Sequence, residues 1–496
     1  MNTTARFTTA LLVGLLGLPL AAQADLQKAK AAYESGDYKT SAQELPGLAK
    51  NGDATAQFLL AESYEKGRGF VQDYAAALDW YAKAGTQNHA AAQEFLCTSY
   101  FFGDNGAKQD YEQAAKWCKS AGKQNKPYPA YLAAYSLEFG KGTAKDLSQA
   151  AELYRVAAAA DNVDAHEALG RLYFFGQGVK QDYAEALKWS RKPAEQGRAL
   201  PQFLVAYIYD WGLGTQKDPA QAVDWYRKAA EQNDARAMSA LGRLYAQGSG
   251  VPKDEAEAMK WNLKAAEKGE ASVSSTLGWS YYQGAGVQAN PAEALKWFTK
   301  AAEGGDASSQ YMVGYLNDQG KAGARNAAEA VKWYRKAAEQ GNTDAIAALG
   351  RLYFTGDGIA ADHAEAAKWY EKVAESGNTY AQYLLGYIYE SGKNGAKTDP
   401  AQAAKWYALA AQKGEPLAQF HLGWLYFEGK GVPADPVLGY MWSNLAVAQL
   451  TGDERAAAEK QRDYIATKLP SDQLTKAQQL AREWKPASGP QSVGQQ

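Results

Sequence analysis

Ten of the chain's 14 tryptophans recur at one spacing: Trp80, Trp117, Trp189, Trp225, Trp261, Trp297, Trp333, Trp369, Trp406 and Trp442 stand 36 or 37 residues apart, with one step of 72. Leu153 falls midway in the long step, and Leu45 lies 35 residues before Trp80, so the skipped slots hold another apolar residue. A fixed period of this length, kept over most of 496 residues, is the mark of a helical or other repeat array, in which each unit buries its apolar face only by stacking on the next.

Two helices fit inside each period. Leu349-Gly350-Arg351-Leu352-Tyr353 places apolar side chains at i, i+3 and i+4, and Trp369 and Val373 do the same on a second stretch. We call these the A helix and the B helix. A glycine inside a helix costs about 1 kcal/mol against alanine, so Gly350 and its equivalents, Gly170, Gly242, Gly278, Gly314, Gly386 and Gly423, are expected to mark close helix approach under a ring of the B helix. Glycine pairs such as Gly176 and Gly178 end the A helix. Four residues on comes Asp or Asn, then Glu or Gln three later, as in Asp182…Glu185 and Asp362…Glu365, the spacing of a capping box. Pro219, Pro291 and Pro400 take the first helical position. Lys126-Pro127-Tyr128-Pro129 is expected to interrupt a helix start, and Pro193 to kink or shorten the last turn of a B helix.

The recurring pattern L-G-x-L-Y-x-x-G-x-G-V-x-x-D-x-x-x-A-x-x-W-Y-x-K-A-A, over nearly all of residues 26–450, resembles the Sel-one-like repeat, a cousin of the tetratricopeptide repeat. The resemblance implies an all-α chain, a right-handed α-solenoid superhelix of about eleven to twelve helix-turn-helix repeats with a concave groove. It also implies an adaptor, scaffold or protein binder; some exported relatives bind host proteins, including secretory immunoglobulin A.

The ends differ from the array. Residues 1–24 carry Arg6, an apolar run and an A-x-A ending at Ala24, the pattern of a signal peptide cut before Asp25. No later apolar stretch suits a membrane span, which makes the expected mature protein periplasmic, secreted or displayed at the surface. The solenoid is expected over 25–450, a helical cap over 451–485 and a disordered tail over 486–496.

Little points to catalysis. The net charge of −2 comes from interspersed acids and bases, so a nucleic-acid partner is not expected. The four histidines, His89, His166, His363 and His421, show no metal-ligand spacing; His166-Glu167 lacks the second histidine of a zinc-protease motif. Ser120-Ala121-Gly122-Lys123 matches S-x-x-K without its K-T-G partner. No catalytic residue, metal or cofactor is assigned, and action on cell wall or β-lactams is the weaker alternative. Cys97 and Cys118 lie about two turns either side of one hairpin connection. They are either a structural disulfide or two buried thiols.

The residue after the A-helix glycine is Arg171, Tyr207, Arg243, Trp279, Tyr315, Arg351, Tyr387 and Trp424 in turn. These are residue types enriched in binding hot spots, and in related arrays the slot faces the groove. The alternative is packing between repeats, against which three arginines without visible partners speak. On the groove reading, Trp279→Ala with Trp424→Ala weakens partner capture and leaves the melting temperature almost unchanged, whereas Trp261→Ala deletes a core ring at about 3–5 kcal/mol.

Overall fold

Residues 20–487 are described by the computed structural model; residues 1–19 and 488–496, which hold most of the expected signal peptide and tail, lie outside the described residues. Among the described residues, regular structure is α-helix throughout. The chain divides into two compact units, Met1–Lys253 and Asp254–Gln496. Among the described residues each contains thirteen helices: Leu20–Ser35 to Ala235–Gln247 in the first, Glu255–Glu267 to Ser471–Glu483 in the second. Through the repeats of both units A and B helices alternate and consecutive helices pack on each other, the helical-repeat class expected from the tryptophan period, while the last two helices, Gly452–Ala466 and Ser471–Glu483, both pack on Pro436–Gln449.

The punctuation is local chemistry. Gly176 closes its A helix at φ 66° in the left-handed region, where a side chain would be strained. Asp182 caps the B helix Tyr183–Glu195, accepting from the Ala184 and Glu185 amides at 3.0 Å each. The second half of the capping box does not form. The Asp182 N–H instead donates to the Tyr173 carbonyl at 3.1 Å, which ties the B helix to the A helix before it. Glu185 is thereby free to accept from the Trp189 indole one turn on, at 2.8 Å, and Glu329 does the same for Trp333 at 2.9 Å. Both proline expectations need correction. Pro127 is the first residue of Pro127–Phe139, where its missing N–H costs nothing. Pro193 lies inside Tyr183–Glu195 without shortening it, and Gln196 and Gly197 still bond back to Lys192 and Ala194.

His89 caps Ala90–Phe102 where aspartate or asparagine does so elsewhere: its Nδ1 accepts from the Ala92 amide at 3.3 Å, and its ring stacks on Phe58 at 4.4 Å. Burial, with Lys126 adding to it against the opposing charge of Asp53, pushes the imidazole below its usual 6.5. A histidine depressed in the folded state stabilises fully above the unfolded value, and that contribution is lost as pH falls through the folded value. Between pH 7.5 and 5.5 the wild type should therefore lose stability relative to His89→Asn. Unfolding curves whose difference is flat over that range would contradict this.

The most deeply buried ring of the B helix is the one just past the tryptophan slot. Tyr81, Tyr154, Tyr226, Phe298, Tyr334 and Tyr407 are essentially fully buried; Trp117, Trp333, Trp369, Trp406 and Trp442 are buried in the core as well, whereas Trp225, Trp261 and Trp297 are only half-buried. The following ring also covers the A-helix glycine: a Cβ on Gly350 would stand 2.4 Å from Cε1 of Tyr370, and one on Gly278 would stand 2.6 Å from Cδ1 of Phe298. The tryptophan sits one position round the helix, under the lysine three residues on, with Lys264 4.6 Å from the Trp261 ring and Lys228 4.0 Å from Trp225. Trp261→Ala accordingly removes a half-buried indole, not the fully buried ring expected from the period.

At the amino end, the buried face of Leu20–Ser35 comprises Leu26, Ala29 and Tyr33. At the carboxyl end, the array continues into Gly452–Ala466 and Ser471–Glu483, Trp484 packs edge-on against Trp442 at 5.8 Å, and the Ala487 amide donates to the Gln412 carbonyl at 2.8 Å. The chain is thus pinned one residue past the expected start of the tail.

Candidate binding faces of the A helices

All eight slot residues are partly exposed, and each is held sideways by a neighbour. In the first unit Arg171 pairs with Glu138 and Arg243 with Asp210, both acids lying on the preceding A helix, and Tyr207 meets Phe174 edge-on at 5.4 Å. In the second unit Arg351 pairs with Asp318, and Tyr387 meets Phe354 edge-on at 5.8 Å. Tyr315 accepts from Lys321 Nζ at 2.7 Å. Trp279 stands on the buried Phe298 at 5.3 Å, and Trp424 faces Tyr464 of Gly452–Ala466 at 6.2 Å.

The three arginines therefore do have partners, contrary to the premise used to place them toward a ligand. Those acids occupy a slot four residues past the glycine position, and the slot alternates between acid and ring from Glu65 to Asp210 and again from Tyr282 to Phe427, with Ala246 breaking the pattern between them. It is acidic at Glu65, Glu138, Asp210, Asp318 and Glu390, and aromatic at Phe101, Phe174, Tyr282, Phe354 and Phe427. Where it is acidic, the B-helix ring is a tyrosine. Tyr81 donates to Glu65 at 2.6 Å, Tyr154 to Glu138 at 2.8 Å, Tyr226 to Asp210 at 3.3 Å and Tyr407 to Glu390 at 2.7 Å. The Glu138, Asp210 and Asp318 side chains are only 6%, 3% and 1% exposed. A carboxylate taken that far out of water is tolerable only when paired and hydrogen-bonded, and the arginine of the next A helix completes the set. Glu390 is followed by Trp424 instead, and His421 Nδ1 takes the arginine's role at 2.9 Å. Burial works against the Glu390 carboxylate, but the His421 and Tyr407 hydrogen bonds outweigh it and hold the carboxyl below its usual range. Burial first, then the charge of Asp210, push the Tyr226 phenol well up, so it stays a donor.

Where the slot is aromatic, the B-helix position is Cys118, Ser190, Phe298, Tyr370 or Ser443. Cys97 and Cys118 are joined in a disulfide between Ala90–Phe102 and Tyr111–Lys123, and both are fully buried. They stand where other repeats place the glycine and the ring.

The residues weighed for chemistry do structural work. His166 Nδ1 lies 2.9 Å from the Asn162 carbonyl, and His363 Nε2 lies 3.1 Å from the Phe354 carbonyl. Ser120 donates to the Lys116 carbonyl at 2.9 Å. Among the described residues no group of His, Cys, Asp and Glu is arranged to hold a metal ion. Among them, too, no helix is long and apolar enough to cross a membrane.

A second row was not read from the sequence. Phe102, Phe139, Phe175 and Trp211 are the last residues of four consecutive A helices in the first unit, and all are exposed. The signal was there, since the equivalent residues of the second unit are Gln283, Gln319, Thr355, Ser391 and Glu428. The tryptophan period drew attention to the middle of each helix and away from its end.

Stacked helix pairs carrying a partly exposed row of rings and guanidinium groups on their A helices define a helical-repeat protein of the solenoid class. The chain belongs to the Sel1 repeat family, whose model matches eleven times, at residues 54–89, 90–126, 130–162, 163–197, 202–234, 235–270, 277–306, 307–342, 343–378, 379–415 and 416–449. It is similar to a protective antigen present in uropathogenic Escherichia coli strains that displays an SLR fold. The two are 32% identical over 92% of this chain and 99% of that one, with a TM-score of 0.54. A Sel1 repeat protein from Oxalobacter formigenes is 33% identical over 49% of this chain and 96% of its own, with a TM-score of 0.41. No curated protein matches the chain. Sel1 repeat proteins generally act as protein-interaction scaffolds and are typically non-enzymatic.

Proposed function

We propose that this chain is an exported, non-catalytic scaffold of the bacterial envelope that holds a protein partner on the A-helix faces of its units. The observation that carries this reading is the fixing of the slot residues. Arg171, Arg243 and Arg351 are locked on buried acids yet keep 25%, 34% and 42% of their side chains exposed, and Tyr207 and Tyr387 are braced by neighbouring rings. Side chains ordered before binding lose less entropy on contact, which is how a modest surface becomes a binding hot spot. Trp279 and Trp424 are poorer probes than the sequence promised, because each also packs on structural neighbours.

Export is part of the proposal. Among the described side chains of the first helix the first buried one is Leu26, just past the expected cut after Ala24, so cleavage would leave Leu26, Ala29 and Tyr33 in place. The similarity to a protective antigen supports a second reading, a surface or secreted protein whose partner is a host protein such as secretory immunoglobulin A, since protection requires access by the host. Fractionation of the producing cell separates the two readings.

The test of the first is capture from envelope extract by the mature chain beside Tyr207→Ser/Tyr387→Ser. The expected result is a specific protein retained by the wild type and lost from the double variant, with melting temperatures within a few degrees. Equal recovery by both proteins overturns the proposal.

A further inference from the structure

The row at the ends of the first unit's A helices has features that the fold does not require. Phe102, Phe139, Phe175 and Trp211 are 51%, 50%, 49% and 52% exposed. Each immediately precedes the left-handed glycine that ends its helix, so the four rings recur at one structural position. They do not stand alone. Phe102 touches Phe101 at 5.0 Å, Phe139 touches Tyr135 at 4.6 Å, Phe175 touches Phe174 at 4.9 Å, and Trp211 touches Tyr207 at 6.1 Å. Phe101 meets Tyr135 at 6.1 Å and Phe174 meets Tyr207 at 5.4 Å, bridging neighbouring repeats. Large rings left half in water side by side mark an interaction surface more often than chance exposure, and aromatic rings are the commonest anchors of such surfaces.

The charge around these rings has a sign. The Arg243 guanidinium lies 5.1 Å over the Trp211 ring, and the Lys141 ammonium lies 4.9 Å from the Tyr135 ring. Arg171 is partly exposed between them in sequence, on the helix that ends in Phe175. The carboxylates of these helices nearest the rings, Glu138 and Asp210, are sunk beneath the arginines and almost wholly out of water; Glu94, Asp164 and Glu167 lie in the first halves of their helices, away from the rings, and are paired with Lys126 and Arg198. At the Phe102 end an exposed carboxylate, Asp104, lies just beyond that helix. What faces solvent is therefore aromatic rings interleaved with cations. Such a face complements a segment that alternates apolar side chains with carboxylates, and one ring per repeat suits an extended chain crossing successive helix ends.

We infer that the aromatic row Phe102, Phe139, Phe175 and Trp211, with Arg171 and Arg243, is a docking site for an extended acidic segment of a partner protein bearing apolar side chains. This rests on the reading of the chain as a protein-binding scaffold and gives that partner its chemistry.

The test uses the full mature chain and two labelled 16-residue peptides followed by fluorescence anisotropy. One alternates Asp or Glu with Phe or Leu, and the other carries Lys in place of each acid. The variant is Phe139→Gln/Phe175→Gln/Trp211→Gln, which installs a residue the second unit carries at this slot. Saturable binding of the acidic peptide is expected, at least tenfold weaker for the basic peptide on the wild type and at least tenfold weaker for the acidic peptide on the variant. The inference is overturned by no saturation, by indifference to peptide charge, by unchanged affinity in the variant, or by a concentration-dependent dimer that the variant abolishes. The peptide-charge comparison needs no variant, so a folding defect would not leave the question open. Running the triple variant in the extract capture separates the two proposals. A partner kept by the triple variant but lost from Tyr207→Ser/Tyr387→Ser removes this site and leaves the scaffold reading, whereas a partner kept by both removes the scaffold reading.

Discussion

Tyr226→Ala is expected to cost about 3–5 kcal/mol, the usual range for deleting a fully buried aromatic ring. The ring is 1% exposed and its hydroxyl bonds to Asp210, which is itself buried. The neighbouring Trp225→Ala should cost only about 1–2 kcal/mol, because the half-buried indole gives up a smaller apolar area. Equilibrium unfolding of the two variants measures the order directly. A larger loss from Trp225→Ala would restore the tryptophan to the core and contradict the packing described above.

Arg171→Met should be nearly as damaging, at about 3–5 kcal/mol, because it strands a buried carboxylate. Its partner Glu138 is 6% exposed and would be left with the Tyr154 hydroxyl alone. The cost belongs to the abandoned charge more than to the lost contact, so Glu138→Gln added to Arg171→Met should recover most of it. A double-mutant cycle checks this. Additive losses would mean that the two residues are not a coupled buried pair, and the account of why arginine recurs on this face would fail.

Much of the fold was legible because a repeat states its rules many times. The left-handed ends at Gly197 and Asn88, the caps at Asp182 and Asp362, and the helix pairs themselves all stand where residue types required them. What could not be read was how deeply each ring of the B helix is sunk. Trp225 and Tyr226 are adjacent and both apolar, yet only the second is fully buried. The buried acids were missed for a related reason. Asp210 and Arg243 are 33 residues apart, a few short of the period, so their partnership appears only when successive A helices are laid side by side. The alternation of acid and ring repeats over two periods, and counting single periods averages it away. The exposed row ending in Trp211 was lost in the same averaging, because the second unit carries polar residues at that slot.

The central claim is that the A-helix faces, and not the tryptophan-bearing B helices, take the partner. Hydroxyl-radical footprinting of the mature chain, alone and with its captured partner, tests it most directly. The account predicts protection of Tyr207 and Tyr387 on binding, with the half-buried indoles of Trp225 and Trp261 oxidised as before. Protection of those indoles with Tyr207 and Tyr387 still open to oxidation would contradict it.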